Sequence, residues 1–317
     1  MTDHGFRKFR RRRKRDEGSA AVASRPVTIE PSFSANGASH HEPLEGDAAG
    51  HGVWEAQAEW QENPTRSSVI AGLPARLPDP WPILRRVDLC GLTPRRSPLP
   101  LVDFFRRSPT ARAFDLLRTR LLQTLRDHGW RRVAVCAPTM GCGASFTAAN
   151  LALSLARVPG SRTVLMDMNL RSPGVARALG LETAALYNGD MRGFLRGEVR
   201  LEDHLVSASD SLALGLNSEA CFNAAEVLHE ARCAETVDRM MDRTKADVAL
   251  FDLPPVLEND DVAAFLPQVD GVLLVSDGTK TTAQHLKACE KMLAGHTQLL
   301  GVALNRARAS DSFSNAR

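Results

Sequence analysis

Between Arg132 and Asn305 the chain repeats one pattern: a short, almost wholly apolar run, then a longer segment with helical spacing. The runs are 132–137, 163–168, 247–251, 271–275 and 299–304, with 212–216 as a further short strand. A strand that is apolar on both sides must be covered on both faces. Its alternation with helices predicts an α/β fold: a doubly wound, mainly parallel sheet with helices on both faces. The helical segments are 110–127, 144–158, 172–179, 189–196, 224–243, 260–266 and 282–295. The first rests on Ala113, Phe114, Leu117, Leu121 and Leu125 at helical spacing. Ligands of such sheets bind at the carboxyl ends of the strands.

That pattern is missing from residues 1–107, which are expected to be a basic and proline-rich, largely disordered region ahead of a folded domain at 108–308 and a short disordered tail at 309–317. Pro74, Pro78, Pro80, Pro82, Pro94, Pro98 and Pro100 remove backbone donors and bias their predecessors away from helix. Such a stretch buries too little apolar surface to offset its ordering entropy. The patches Val87–Leu89 and Leu99–Phe105 are apolar enough to dock on a partner or on the domain.

Net charge over 317 residues is only +3, so nothing global points to nucleic acid. The positive charge is concentrated at Arg7–Arg15, eight cations in nine residues. This run is a solvated tail, an anchor to an anionic membrane surface at ~1 kcal/mol per charge, or a nonspecific contact with nucleic acid. No apolar core follows it, which predicts no secretory leader. No stretch reaches the ~18–20 apolar residues that span a bilayer, which predicts a soluble or peripherally attached chain. Cys90, Cys136, Cys142, Cys221, Cys233 and Cys289 form no C-x-x-C pair and no zinc-like spacing. They read as free thiols of a reducing cytosol.

Chemistry concentrates at three strand ends. The first strand runs into Ala137-Pro138-Thr139-Met140-Gly141-Cys142-Gly143-Ala144-Ser145 and then a helix. Strand, glycine loop and helix form the layout of a phosphate cradle, in which backbone N–H groups face an anion. A Gly-x-Gly turn alone fits plain packing equally well. The second strand ends at Asp167 and the fourth at Asp252. A carboxylate at the tip of a buried strand is costly to desolvate. Either alone could cap a loop or helix, whereas both in order behind a glycine loop point to positioning of a metal or water.

The run Val133–Ala156, with Gly-x-Gly-x-Ser-Phe-Thr-Ala-Ala-Asn-Leu-Ala, resembles the Walker A region of the bacterial tyrosine kinases of capsule and exopolysaccharide export, in the MinD/ParA-like branch of P-loop proteins. Met166–Leu181 resembles their second, A′ segment, and Phe251–Leu257 their Walker B with its double proline. Gly271–Thr282 and Gly301–Arg306 match the later strands, and Ala113–Thr119 resembles the N-terminal oligomerisation helix. The resemblance implies that Gly141, Cys142, Gly143, Ala144, Ser145 and Phe146 hold nucleotide phosphates, and that Asn305 contacts the base. By the same resemblance Ser145, Asp167 and Asp252 are the magnesium and catalytic positions. Asn169 falls on the second A′ carboxylate position and Asp261 on a further acidic one.

The chain departs from that family at several of these positions. Ala144 stands where the phosphate-binding lysine belongs, and nothing else from Thr139 to Ser145 is cationic. Arg171 or Lys280 could substitute only if a loop brought one close. Asn169 cannot act as a base and ligates magnesium less well than Asp. The oligomerisation helix carries Arg112 and Asp115 at family positions, and only Arg118 matches. The family's tyrosine-rich tail has no counterpart: the one tyrosine is Tyr187. The resemblance with these departures implies a degenerate, regulatory or scaffolding relative. It would be cytoplasmic, peripheral at the inner membrane, with an inner-membrane polysaccharide co-polymerase as partner, a homo-oligomer in prospect, and ATP or ADP with Mg2+ held weakly. The competing readings are an active kinase or ATPase acting in trans and a MinD/ParA-type partitioning protein.

Overall fold

The computed structural model describes residues 78–89, 101–181 and 189–307. The basic run 7–15, Cys90, Tyr187 and the tail 309–317 lie outside them. Eight strands form one sheet: β1 (Arg85–Arg86), β2 (Arg132–Cys136), β3 (Thr163–Asp167), β4 (Leu205–Ser209), β5 (Leu212–Gly215), β6 (Val248–Asp252), β7 (Gly271–Asp277) and β8 (Gln298–Asn305). Their order is β1-β4-β5-β3-β6-β2-β7-β8. All neighbours pair in parallel except β4 with β5, so β1 and β4 run against the rest.

The expected two-faced burial is visible along β2. Val133 and Val135 pack into the core formed with α1 (Pro109–His128), α2 (Ala144–Ala156) and α3 (Val175–Leu179). Ala134 and Cys136 pack into the opposite core. That second core is covered by α4 (Met191–Leu195), α6 (Ala224–His229), α7 (Ala231–Thr244), α8 (Asp261–Phe265) and α9 (Ala283–Leu293), with α5 (Leu201–His204) at its margin. The alternation follows from the two-residue period of a strand.

α1 begins with Ser108 accepting a hydrogen bond from the Ala111 amide at 3.1 Å, and ends at the left-handed Gly129. Its buried stripe is Ala111, Phe114, Leu121 and Leu125; Ala113 is exposed. Two further details differ from the sequence expectation. The helix expected over 224–243 is two helices, broken where Glu230 turns extended and pairs with Arg196 at 2.8 Å. The β4–β5 hairpin, with its mixed Leu-Val-Ser-Ala-Ser first strand, was not expected beyond 212–216.

Two segments inside the range 1–107 pack on the domain. Trp81 and Leu84 join the core, and the Trp81 indole donates to the Thr244 carbonyl at 2.7 Å. Arg162 lies 5.2 Å from the Trp81 ring centroid. Leu101 and Val102 are buried against α2, and the Val102 amide donates to Asn150 Oδ1 at 2.8 Å. Val87 and Leu89 pack against the same core. The described residues of both apolar patches pack on the chain's own domain.

Candidate functional site

β2 leads into the loop 137–143, which opens α2. Gly141 and Gly143 both hold left-handed backbone, with φ of 79° and 95°. A Cβ on Gly143 would collide with the Asn305 side-chain amide, so glycine is required there twice over. No side chain caps the first turn of α2. Its amides therefore stand without an intrahelical acceptor, as an anion cradle requires.

Behind the cradle, Asp167 and Asp252 end adjacent strands as register partners, both fully buried. One Asp167 oxygen, Oδ2, accepts from the amides of Gly174 at 3.0 Å and Val175 at 2.9 Å. Among the described residues its Oδ1 and both oxygens of Asp252 have no hydrogen-bond partner. Burial raises the Asp167 carboxyl to about 7, against the pull of the Val175, Gly174 and Asn169 amides. Asp252 is raised well above the ordinary carboxylate range, first by burial and then by the charge of Asp167; the nearby Ser145 hydroxyl opposes this. Ser145 reaches the same point: a Cβ on Gly174 would lie 2.9 Å from the Ser145 Cβ and 4.0 Å from Asp252 Oδ2.

Three orphaned, buried carboxylate oxygens beside a hydroxyl are a poor arrangement for an apoprotein and a good one for a hard cation. Among the described residues no third acidic, His or Cys side chain joins them, which leaves the Ser145 hydroxyl as the protein group available for a third donor. Mg2+ suits such a set, because it keeps several waters and takes only one or two carboxylates. Ser145, Asp167 and Asp252 would hold it, and it would supply charge neutralisation between the carboxylates and a phosphate.

The other expected site residues divide. Cys142 is buried, its Sγ 3.5 Å from Thr139 Oγ1 and 3.7 Å from Thr281 Oγ1, so only its backbone faces the cradle. Ala144 opens α2 and packs on the core with no charge to offer. The Phe146 ring lies edge-on to Phe114 at 6.2 Å, a packing contact rather than a ligand contact. Asn305 donates from Nδ2 to the Cys142 carbonyl at 2.9 Å and so braces the loop. Asn169 accepts from the Ser172 amide at 3.2 Å and shapes the turn after β3. Asp261 is buried in a two-pronged pair with Arg171, at 2.7 and 2.9 Å, which removes Arg171 as a substitute cation. On α1, Asp115 and Arg118 turn inward: Asp115 pairs with Arg118 and Arg157, and Arg118 donates to the Ser154 carbonyl at 3.0 Å.

Sequence reasoning missed the second wall of the cradle. Arg306 bridges Asp277 to the Gly141 carbonyl, the latter at 2.9 Å. Thr279 donates from its hydroxyl and its amide to the Asp277 carboxylate, and with Arg306 holds it at about 2, below the usual range despite some burial. Glu258 accepts from the Met140 amide at 2.6 Å. The only local signal for this wall was the polar cluster Asp277–Thr282 at a strand end.

No family model matches the chain. It is 30% identical over 223 residues, 69% of its length, to EpsB of Ralstonia solanacearum, a protein assigned as a tyrosine-protein kinase. It is 28% identical over 207 residues, 64% of its length, to the tyrosine-protein kinase YwqD of Bacillus subtilis, covering 84% of that protein. The match spans only 29% of the Ralstonia protein. Among solved structures, the VpsO kinase domain superposes with a TM-score of 0.56 at 27% identity, covering 65% of this chain and 98% of that one. The kinase domain of the Escherichia coli tyrosine kinase Etk shares the fold at a TM-score of 0.59 and 20% identity, over 68% of this chain and 84% of that one.

Proposed function

Since residues 109–305 form a domain of the bacterial tyrosine-kinase family, we propose that the chain is a nucleotide-responsive regulatory or scaffolding partner in exopolysaccharide export. Its ligand is ATP or ADP with Mg2+, and its phosphoryl transfer is slow. The observation that carries this reading is the pairing of an orphaned carboxylate site, Asp167 with Asp252, with an α2 N-terminus that opens on Ala144. The carboxylates that a metal half of a phosphate site would need support this reading, and Ala144 offers no cation at the position the family's lysine takes.

The magnitudes favour binding over turnover. Loss of one preorganised transition-state donor costs about 10²–10³ in rate. The backbone amides and carboxylates that remain can still hold a nucleotide in the ground state, more weakly than with a lysine on its phosphates. The inward-turned Asp115 and Arg118 are spent within the domain, which supports a changed mode of assembly. An inner-membrane co-polymerase is the partner this reading implies, and the cations of residues 7–15 suit a place beside an anionic leaflet. Among the described residues no helix is long and apolar enough to cross a membrane.

Calorimetric titration with ATP, with and without Mg2+, tests the reading. Magnesium-dependent binding is expected, with phosphate release and tyrosine phosphorylation at least about 10²-fold below the same protein carrying Ala144→Lys. Absence of magnesium-dependent binding sinks it. A wild-type protein as fast as Ala144→Lys would instead establish the active kinase acting in trans.

A further inference from the structure

The cradle lacks its own lysine, yet another ammonium stands against it. A Cβ built on Gly141 would lie 3.8 Å from Lys280 Nζ. Lys280 is exposed and forms no ion pair or hydrogen bond with another described residue through its side chain. A cation with no partner among the described residues, at the rim of an anion cradle, is available to a ligand.

The turn that carries it is fixed to the loop. After β7, the amides of Lys280 and Thr281 both donate to the Asp277 carbonyl, at 3.2 and 2.9 Å. The Thr281 hydroxyl accepts from the Asp277 amide at 2.9 Å and touches the Cys142 thiol. Arg306 ties the Asp277 carboxylate to the Gly141 carbonyl, and Asn305 ties the end of β8 to the Cys142 carbonyl. Lys280 thus swings only through its own side chain, from a base anchored to the same loop that would hold phosphate. The other cation of the neighbourhood, Arg306, is already engaged by Asp277. Arg171 is engaged by Asp261.

We propose that Lys280 supplies, from the β7–α9 turn, the phosphate-binding charge that Ala144 leaves out. Its ligand class is the outer phosphates of a nucleoside di- or triphosphate. The inference rests on the nucleotide-binding reading above and adds to it the residue that sets phosphate selectivity. A charged donor approaching from the rim neutralises ground-state charge. It hangs from the β7–α9 turn and not from the first turn of α2, so this device is expected to serve binding more than turnover.

The test is titration of the full chain with Mg-ATP, Mg-ADP and AMP. Lys280→Ala is expected to weaken Mg-ATP and Mg-ADP by roughly tenfold or more, with AMP changed by less than about twofold. Lys280→Arg should stay within about threefold of wild type, and Lys280→Ala combined with Ala144→Lys should recover most of the loss. Because Lys280 is exposed, the nucleotide-free melting temperature should not move; Lys280→Gln serves as a second variant. Wild-type binding of Mg-ATP with Lys280→Ala unchanged overturns the role of Lys280 and leaves the nucleotide reading intact. No binding by wild type overturns both.

Discussion

Asp167 and Asp252 are register partners on adjacent parallel strands, fully buried, and three of their four oxygens have no hydrogen-bond partner among the described residues. Two like charges in a dry interior oppose folding unless a proton or a cation joins them. Most consequences of this structure follow from that pair.

The first concerns pH. Both carboxyls have folded-state values above their unfolded ones, Asp167 at about 7 and Asp252 well above the ordinary range. The folded state therefore holds more protons than the unfolded state between about pH 4 and 7. Their contribution to stability is fully present below the unfolded value and is lost as pH rises through the folded one. Nucleotide-free protein should melt several degrees lower at pH 8 than at pH 5.5, at about 2–4 °C per kcal/mol for a domain of this size. Millimolar Mg2+ should recover much of that loss at pH 8 and little at pH 5.5, where protons already occupy the site. Scanning calorimetry at the two pH values checks it, and an equal magnesium effect at both would contradict it.

Neutralising one member should separate stability from function. Asp252→Asn removes the like-charge conflict without changing side-chain size. The metal-free protein should become more stable at pH 8, by a few degrees, and its melting temperature should flatten with pH. Magnesium-dependent ATP binding should fall at least tenfold, since an amide is a weaker ligand for a hard cation. A destabilised Asp252→Asn protein would mean that the carboxylate has a partner in solution that the structure does not show.

The strand ends were legible in the sequence because each is a local event. An apolar run stops, and a carboxylate or glycine follows within a few residues. Gly141, Gly143, Asp167 and Asp252 were all found that way, and Ser145 came from the family resemblance. What was not legible depends on residues far apart in the chain. The need for glycine at 174 exists only because α2 places Ser145 against it. The significance of Lys280 depends on Arg306 and Asn305, 26 and 25 positions later, bracing the cradle. Trp81 reads as part of a proline-punctuated tail until Thr244, 163 residues on, accepts its indole hydrogen. The break at Glu230 has no proline or glycine to announce it, and its partner there, Arg196, lies 34 residues earlier.

Gly174 supplies a test of the metal site that mutates none of its ligands. Its φ of −130° is open to any residue, so backbone strain is not the issue. An added methyl would sit 2.9 Å from the Ser145 Cβ and overlap the Ser145 hydroxyl. Gly174→Ala should therefore turn Ser145 away from Asp252 at a cost of about 1–3 kcal/mol. The expected result is a folded protein whose magnesium-dependent ATP affinity falls about tenfold while its magnesium-free melting temperature drops by a few degrees. Full retention of magnesium dependence would show that Ser145 is not a donor to the cation.

Glu258 presents the opposite case, a charge that works against the ligand. Its carboxylate accepts from the Met140 amide at 2.6 Å, at the mouth of a cradle that must receive phosphate. An anion there repels the ligand and occupies an N–H of the loop. Glu258→Gln retains an acceptor for Met140 and removes the charge, so the loop should keep its shape. Mg-ATP affinity should rise several-fold, and the gain should shrink as salt is raised from 50 to 500 mM, because the Debye length falls from about 14 to about 4 Å over that range. AMP, which carries less charge, should gain less. Fluorescence titration at the two salt concentrations gives the comparison. An affinity for Mg-ATP that falls in Glu258→Gln would show that the carboxylate organises the loop for nucleotide instead of opposing it.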